Sequence, residues 1–203
     1  MRVATRLIAV IAVGTAIALD TAGPVPVVDL LTLFTFQSNI AYALYAAWTA
    51  RRPAVPVIKG GLTLYVVISG LVFHLILDNP LTPFYAGPFH FRAAEAVGNQ
   101  LLHTVLPLLA IVDWLAFEPR GRYRRRYAVY WLAGPVAYLV YALIWGAIAD
   151  TYPYPFIDPR TLGAGGVALS AAGFAIAFWL LGLLFVAIDR IGVGQTESLD
   201  EPV

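Results

Sequence analysis

Two residue types suited to acyl transfer stand inside apolar stretches of this chain. The segment FTFQSNIAY carries Thr35, with Ser38 and Asn39 close behind, and NQLLHTV carries Asn99 and His103. A threonine hydroxyl is a weak nucleophile until a neighbouring base takes its proton. A neutral imidazole is a side chain suited to that task near neutral pH. Asparagine amides can donate hydrogen bonds to an oxyanion as it develops. Thr35 and His103 are therefore the expected nucleophile and base. Asn39, Asn99, His74 and Ser38 are the further polar candidates for holding substrate or oxyanion.

These residues can meet only if their helices hold them at one depth. Counting from the start of its apolar segment at Val27, Thr35 lies about 12 Å in, at roughly 1.5 Å per residue. His103 lies about 12 Å in from Glu95 by the same count. His74 lies about 6 Å from the end of a segment running the other way. Asn39 and Asn99 sit one helical turn from Thr35 and His103 on the same faces, whereas Gln37 and Ser38 point elsewhere. Each also has a plainer use. A helical threonine can bond its own i−4 carbonyl, and buried asparagines can tie helices together. An ionisable side chain at membrane depth is the stronger signal, because it is costly there. No carboxylate stands at the depth of His103, so the set reads as a dyad with polar helpers. Asp113, near the far end of its segment, reads as a structural partner for the headgroups or for the arginines after Glu118.

The elements that must position this set follow from composition. The chain has 203 residues, 60% hydrophobic and 12% charged; soluble domains carry about 25% charged residues. The charges are clustered and leave six clean apolar stretches, at 4–22, 27–50, 57–77, 95–117, 127–149 and 165–188. Each is long enough to span a bilayer. The expected fold is all-α, a polytopic six-helix transmembrane bundle over residues 1–190, with a polar, disordered tail at 191–203. With the N-terminus in the cytoplasm, all of the 13 Lys and Arg residues except Arg92 and Arg160 fall on the cytoplasmic side. That asymmetry puts both termini inside and the Thr35/His103 level in the outer half of the bilayer. The first stretch also fits a cleaved signal peptide. The loop DTYPYPFIDPR reads as an interfacial aromatic anchor, or as a rigid lid over the polar pocket. A free carboxylate of a lipid would find Arg92 or Arg160 outside.

The chain has no cysteine, which excludes disulfides, iron–sulfur clusters and thiolate zinc sites. Net charge is +1, so no global field recruits nucleic acid. No cofactor or metal is expected, and the expected partners are membrane lipids and a lipid ester substrate. Ala/Val/Gly-rich, Lys-poor usage suggests a bacterial plasma membrane.

The stretches LFTFQSNI, NQLLHTVLPLLAIVDW and YPYPFIDP resemble the androgen-induced family of polytopic membrane proteins. The resemblance runs from the second apolar stretch to the loop before the sixth. It implies a threonine hydrolase of lipid esters, in that family of fatty acid esters of hydroxy fatty acids. The family's Thr-Phe pair matches Thr35-Phe36. Its Asn-His-x-x-His-Thr stretch matches Asn99 to Thr104, with the second His at His103 and Gln100 in place of the first. Tyr154-Pro155-Phe156 and Asp158 match its Tyr-Pro-Phe motif loosely. Two rival classes stand beside this reading. His74 and His103 could ligate a haem in a haem- or quinone-binding redox protein, although their depths differ. A non-enzymatic transporter or interaction protein would show repeats and helices broken at mid-bilayer. The sequence offers only Pro107 and Pro135 as kinks.

Overall fold

The computed structural model describes residues 1–191, so the expected tail lies outside the described residues apart from Ile191. Among the described residues the regular elements are all helices, without a strand. The helices are α1 (Arg2–Thr21), α2 (Val27–Thr32), α3 (Phe34–Thr49), α4 (Pro56–Leu77), α5 (Ala93–Phe117), α6 (Tyr127–Ala149) and α7 (Pro159–Arg190). All except α2 and α3 are long and apolar enough to cross a membrane. Helices α1, α3, α4 and α5 pack on one another, and α7 packs on α4 and on the start of α6. We call the end of the bundle where α1 stops and α5 starts the upper end.

Residues 27–50 depart from the single helix expected of them. Leu33 is extended (φ −77°, ψ 135°) and separates α2 from α3. No proline causes the break. Its physical reason is tertiary: two tyrosine hydroxyls replace the missing helical partners. The Tyr138 hydroxyl of α6 donates to the Thr32 carbonyl at 2.9 Å. The Phe34 N–H donates to the Tyr154 hydroxyl at 3.1 Å. An unpaired peptide group in apolar surroundings is costly, and a broken helix persists only where protein satisfies it.

Two further irregularities lie beside this break. Helix α4 ends in a π-helical turn at Phe73–Leu77, and α5 contains another at Leu101–Val105. Pro107 explains the second, because it has no N–H to offer the His103 carbonyl four residues back. Gly70 lets α4 approach this wide turn closely. A Cβ there would meet the His103 carbonyl oxygen at 2.6 Å and Pro107 Cγ at 3.0 Å. In α6, Pro135 has the same effect on the carbonyl of Trp131, and the helix loosens into a turn at Trp131 and Leu132. Trp131 there packs on Gly60 and Gly61 and donates to the Val57 carbonyl at 2.7 Å.

The lower end is held by a buried ion cluster. Arg6 of α1 places Nε 3.1 Å from both Asp113 carboxylate oxygens and Nη1 2.7 Å from the Thr49 carbonyl. Lys59 of α4 also pairs with Asp113, and Arg6 with Glu118. The Tyr42 hydroxyl sits between them, 3.0 Å from Lys59 Nζ and 3.3 Å from Asp113 Oδ2. Asp113 is thus structural, as its position suggested, but its partners are Arg6 and Lys59 rather than the arginines after Glu118.

Candidate active site

Thr35 is the second residue of α3, a place it owes to the break at Leu33. Its Oγ1 lies 3.1 Å from His103 Nε2. The other ring nitrogen, Nδ1, lies 3.1 Å from the Asn99 carbonyl oxygen. A carbonyl can only accept, so in the neutral ring Nδ1 carries the proton and Nε2 presents its lone pair to the Thr35 hydroxyl. Helix α5 therefore supplies both the imidazole and the group that fixes its tautomer. The ring is further held by Phe73, stacked on it at 4.2 Å between centroids and 28° between planes.

Tyr154 closes the other side of Thr35. Its oxygen accepts the Phe34 N–H at 3.1 Å, and its side chain lines the same cavity as Thr35. Burial pushes the Tyr154 phenol above its ordinary range, so it keeps its proton. The loop DTYPYPFIDPR turns Tyr154 and Phe156 inward against α6 and α7, where they pack on Tyr138 and Phe174. Pro153, Tyr154, Pro155, Phe156 and Ile157 of this loop form part of the wall of the cavity beside Thr35.

The site opens on a cavity of about 370 Å³, within the range of small-molecule sites. Its lining reaches from Asp20, Glu95 and Asn99 at the upper end, past Thr35 and His103, to apolar side chains of α6 and α7 such as Leu139 and Phe178. Apolar surface predominates, with a few polar groups gathered around Thr35.

Thr35, His103 and Asn99 are brought together; three other candidates are not. Asn39 Nδ2 and Ser38 Oγ both donate to the Thr35 carbonyl, at 2.7 and 3.2 Å. Both side chains are buried outside the cavity wall, so they brace the backbone of α3. Asn99 does line the cavity, but the atom that meets His103 is its main-chain carbonyl. His74 is exposed, and its Nε2 lies 2.9 Å from Thr104 Oγ1. The Thr104 hydroxyl gives its proton to Gln100 Oε1 at 2.8 Å, so His74 must donate to it and is no base for that hydroxyl. Arg92 and Arg160 are engaged within the protein, by Glu95 and by Asp150 and Asp158.

Sequence reasoning missed the Asn99 carbonyl and Phe73, and it gave Tyr154 only as part of a motif and of a candidate lid, with no contact near Thr35. The first had a signal: a helical histidine always has a carbonyl four residues back. The other two meet His103 and Thr35 through tertiary packing. Compared with family models, curated proteins and solved structures, the chain matches none.

Proposed function

We propose that the chain is an integral membrane hydrolase of lipid (fatty acyl) esters, with Thr35 as nucleophile and His103 as base. One observation carries this: a hydroxyl 3.1 Å from an imidazole nitrogen whose ring partner is fixed by a carbonyl, at the wall of an apolar cavity. The six apolar segments cross the membrane, with α2 and α3 together forming the second. Both termini face the cytoplasm, the site lies in the outer half of a bacterial plasma membrane, and the lid loop faces outward. The resemblance of Thr35-Phe36 and the Asn99 to Thr104 stretch to the androgen-induced family supports the same chemistry.

The apolar arm between α6 and α7 takes the acyl chain and brings the ester carbonyl to Thr35. As Thr35 Oγ bonds to the carbonyl carbon, its proton passes to His103 Nε2. The resulting imidazolium is stabilised by the hydrogen bond from Nδ1–H to the Asn99 carbonyl. Collapse of the tetrahedral intermediate breaks the bond to the alcohol oxygen, which takes the proton from Nε2. Water then attacks the acyl-threonine carbon and gives a proton to His103 Nε2; collapse breaks the bond to Thr35 Oγ, which takes that proton, and the fatty acid leaves.

A second reading is favoured by the break at Leu33, since discontinuous helices are also a mark of solute carriers. The haem reading has less support: the Nε2 atoms of His74 and His103 are each engaged by a threonine hydroxyl. Hydrolysis of neutral long-chain esters by the purified protein decides the matter. Thr35→Ala and His103→Ala should each remove nearly all turnover, and the double variant should be little worse, because such residues act as a unit. Thr35→Ser should keep measurable activity. Wild-type hydrolysis by folded Thr35→Ala would overturn the threonine mechanism, and liposome uptake of a solute that survives Thr35→Ala would favour transport.

A further inference from the structure

Tetrahedral chemistry at Thr35 needs a donor for the oxyanion, and the asparagines expected to supply it are committed elsewhere or meet His103 by their backbone. We infer that the Tyr154 phenol is that donor; the inference rests on the proposed ester hydrolysis. Three features of the site support it. The phenol oxygen accepts the Phe34 N–H at 3.1 Å, while its own proton is committed to no acceptor among the described residues. A hydroxyl that accepts one hydrogen bond donates another more strongly. The Phe34 N–H that the phenol holds belongs to the residue next to Thr35, and an oxyanion forms on the carbon that Thr35 Oγ attacks, one atom further on. Tyr154 also lines the cavity together with Thr35 and His103. Thr35 therefore stands between a base on α5 and a proton donor on the lid loop. The loop is held over the site by Phe156, which packs on Phe84 and Phe174.

Tyr154 touches the reacting atoms in this account, so its loss should act on the chemical step. Steady-state hydrolysis of one neutral long-chain ester is compared for wild type, Thr35→Ala and Tyr154→Phe in the same detergent. The expected result for Tyr154→Phe is a loss of about 10²–10³ in kcat, with KM within a few-fold of wild type. A folded Tyr154→Phe with kcat within threefold of wild type, or with the whole loss in KM, overturns the role of Tyr154. Because the Phe34 N–H loses its acceptor in that variant, 3,5-difluorotyrosine at position 154 provides a second arm that keeps the oxygen. Its more acidic phenol should add a limb to the pH profile. Turnover should fall as pH rises through the fluorophenol pKa, because a phenolate cannot donate, and wild type should lack this limb. Superimposable profiles overturn the inference. If Thr35→Ala retains wild-type turnover, the nucleophile reading fails first and takes the Tyr154 role with it. A dead Thr35→Ala beside an unimpaired Tyr154→Phe leaves hydrolysis standing and removes only Tyr154.

Discussion

The bundle buries polar side chains at both ends, on the same helices, and does so in opposite ways. At the lower end Arg6, Lys59 and Asp113 are charged and almost fully buried, and Arg6 reaches on to Glu118 and the Thr49 carbonyl. The cleft beside Lys59 and Glu118 has no room for a ligand among the described residues. At the upper end Thr35 is joined to His103, the Tyr154 hydroxyl holds the Phe34 N–H, and all three side chains face a cavity. Mutual satisfaction of ions ties α1, α4 and α5 together and leaves nothing for a ligand. Incomplete satisfaction, with a Tyr154 proton and a threonine hydroxyl open to a cavity, is what chemistry requires. Burial of a polar group is thus a weak guide to function by itself; what its atoms are left free to do decides.

Swapping the two ends as targets gives the largest contrast. Asp113→Ala leaves Arg6 and Lys59 buried without their shared carboxylate. Removing one partner of a buried pair costs about 3–5 kcal/mol, so its thermal midpoint in detergent should fall steeply, with hydrolysis lost only through unfolding. Thr35→Ala should do the reverse, keeping the midpoint while abolishing turnover. Equal stabilities for the two variants would erase the distinction.

The close approach at Gly70 gives an intermediate effect. Gly70→Ala presses a methyl group against the His103 carbonyl and Pro107. Overpacking of this kind costs about 1–3 kcal/mol, and a displacement of about 1 Å at a catalytic group can cost roughly 10²-fold in rate. Stability and kcat should therefore both fall, unlike either variant above. An unchanged kcat would mean that the π-helical turn around His103 tolerates displacement.

Asn39→Ala should have the smallest effect. The side chain braces the Thr35 carbonyl of its own helix from outside the cavity, and a net intramolecular hydrogen bond is worth about 0.5–1.5 kcal/mol. A modest drop in midpoint with near-normal kcat is expected from unfolding and rate measurements on one preparation. A 10²-fold loss in kcat without destabilisation would restore Asn39 as an oxyanion donor.

Much of this was legible in the sequence, for definite reasons. Apolar length and clustered charge are properties of single segments, and five of the six expected stretches coincide with helices long and apolar enough to cross a membrane. The pairing of Thr35 with His103 was expected from equal depth along two helices, and it is met although Leu33 interrupts the first of them. The break at Leu33 was not legible, since it depends on hydroxyls of Tyr138 and Tyr154 more than 100 residues away. Nor was the inward turn of Tyr154, because an interfacial anchor and a lid have the same composition. Asn39 and Ser38 shared a neighbourhood with Thr35, but their side chains found its backbone carbonyl before they could reach the cavity.

The central claim is that Thr35 is the activated hydroxyl of this cavity. Its most direct test is to label purified wild-type protein with an alkyl fluorophosphonate and to map the adduct by peptide mass spectrometry. The account predicts a single adduct on Thr35, absent from Thr35→Ala and strongly slowed in His103→Ala. An adduct on another residue, or undiminished labelling of Thr35→Ala, would contradict it.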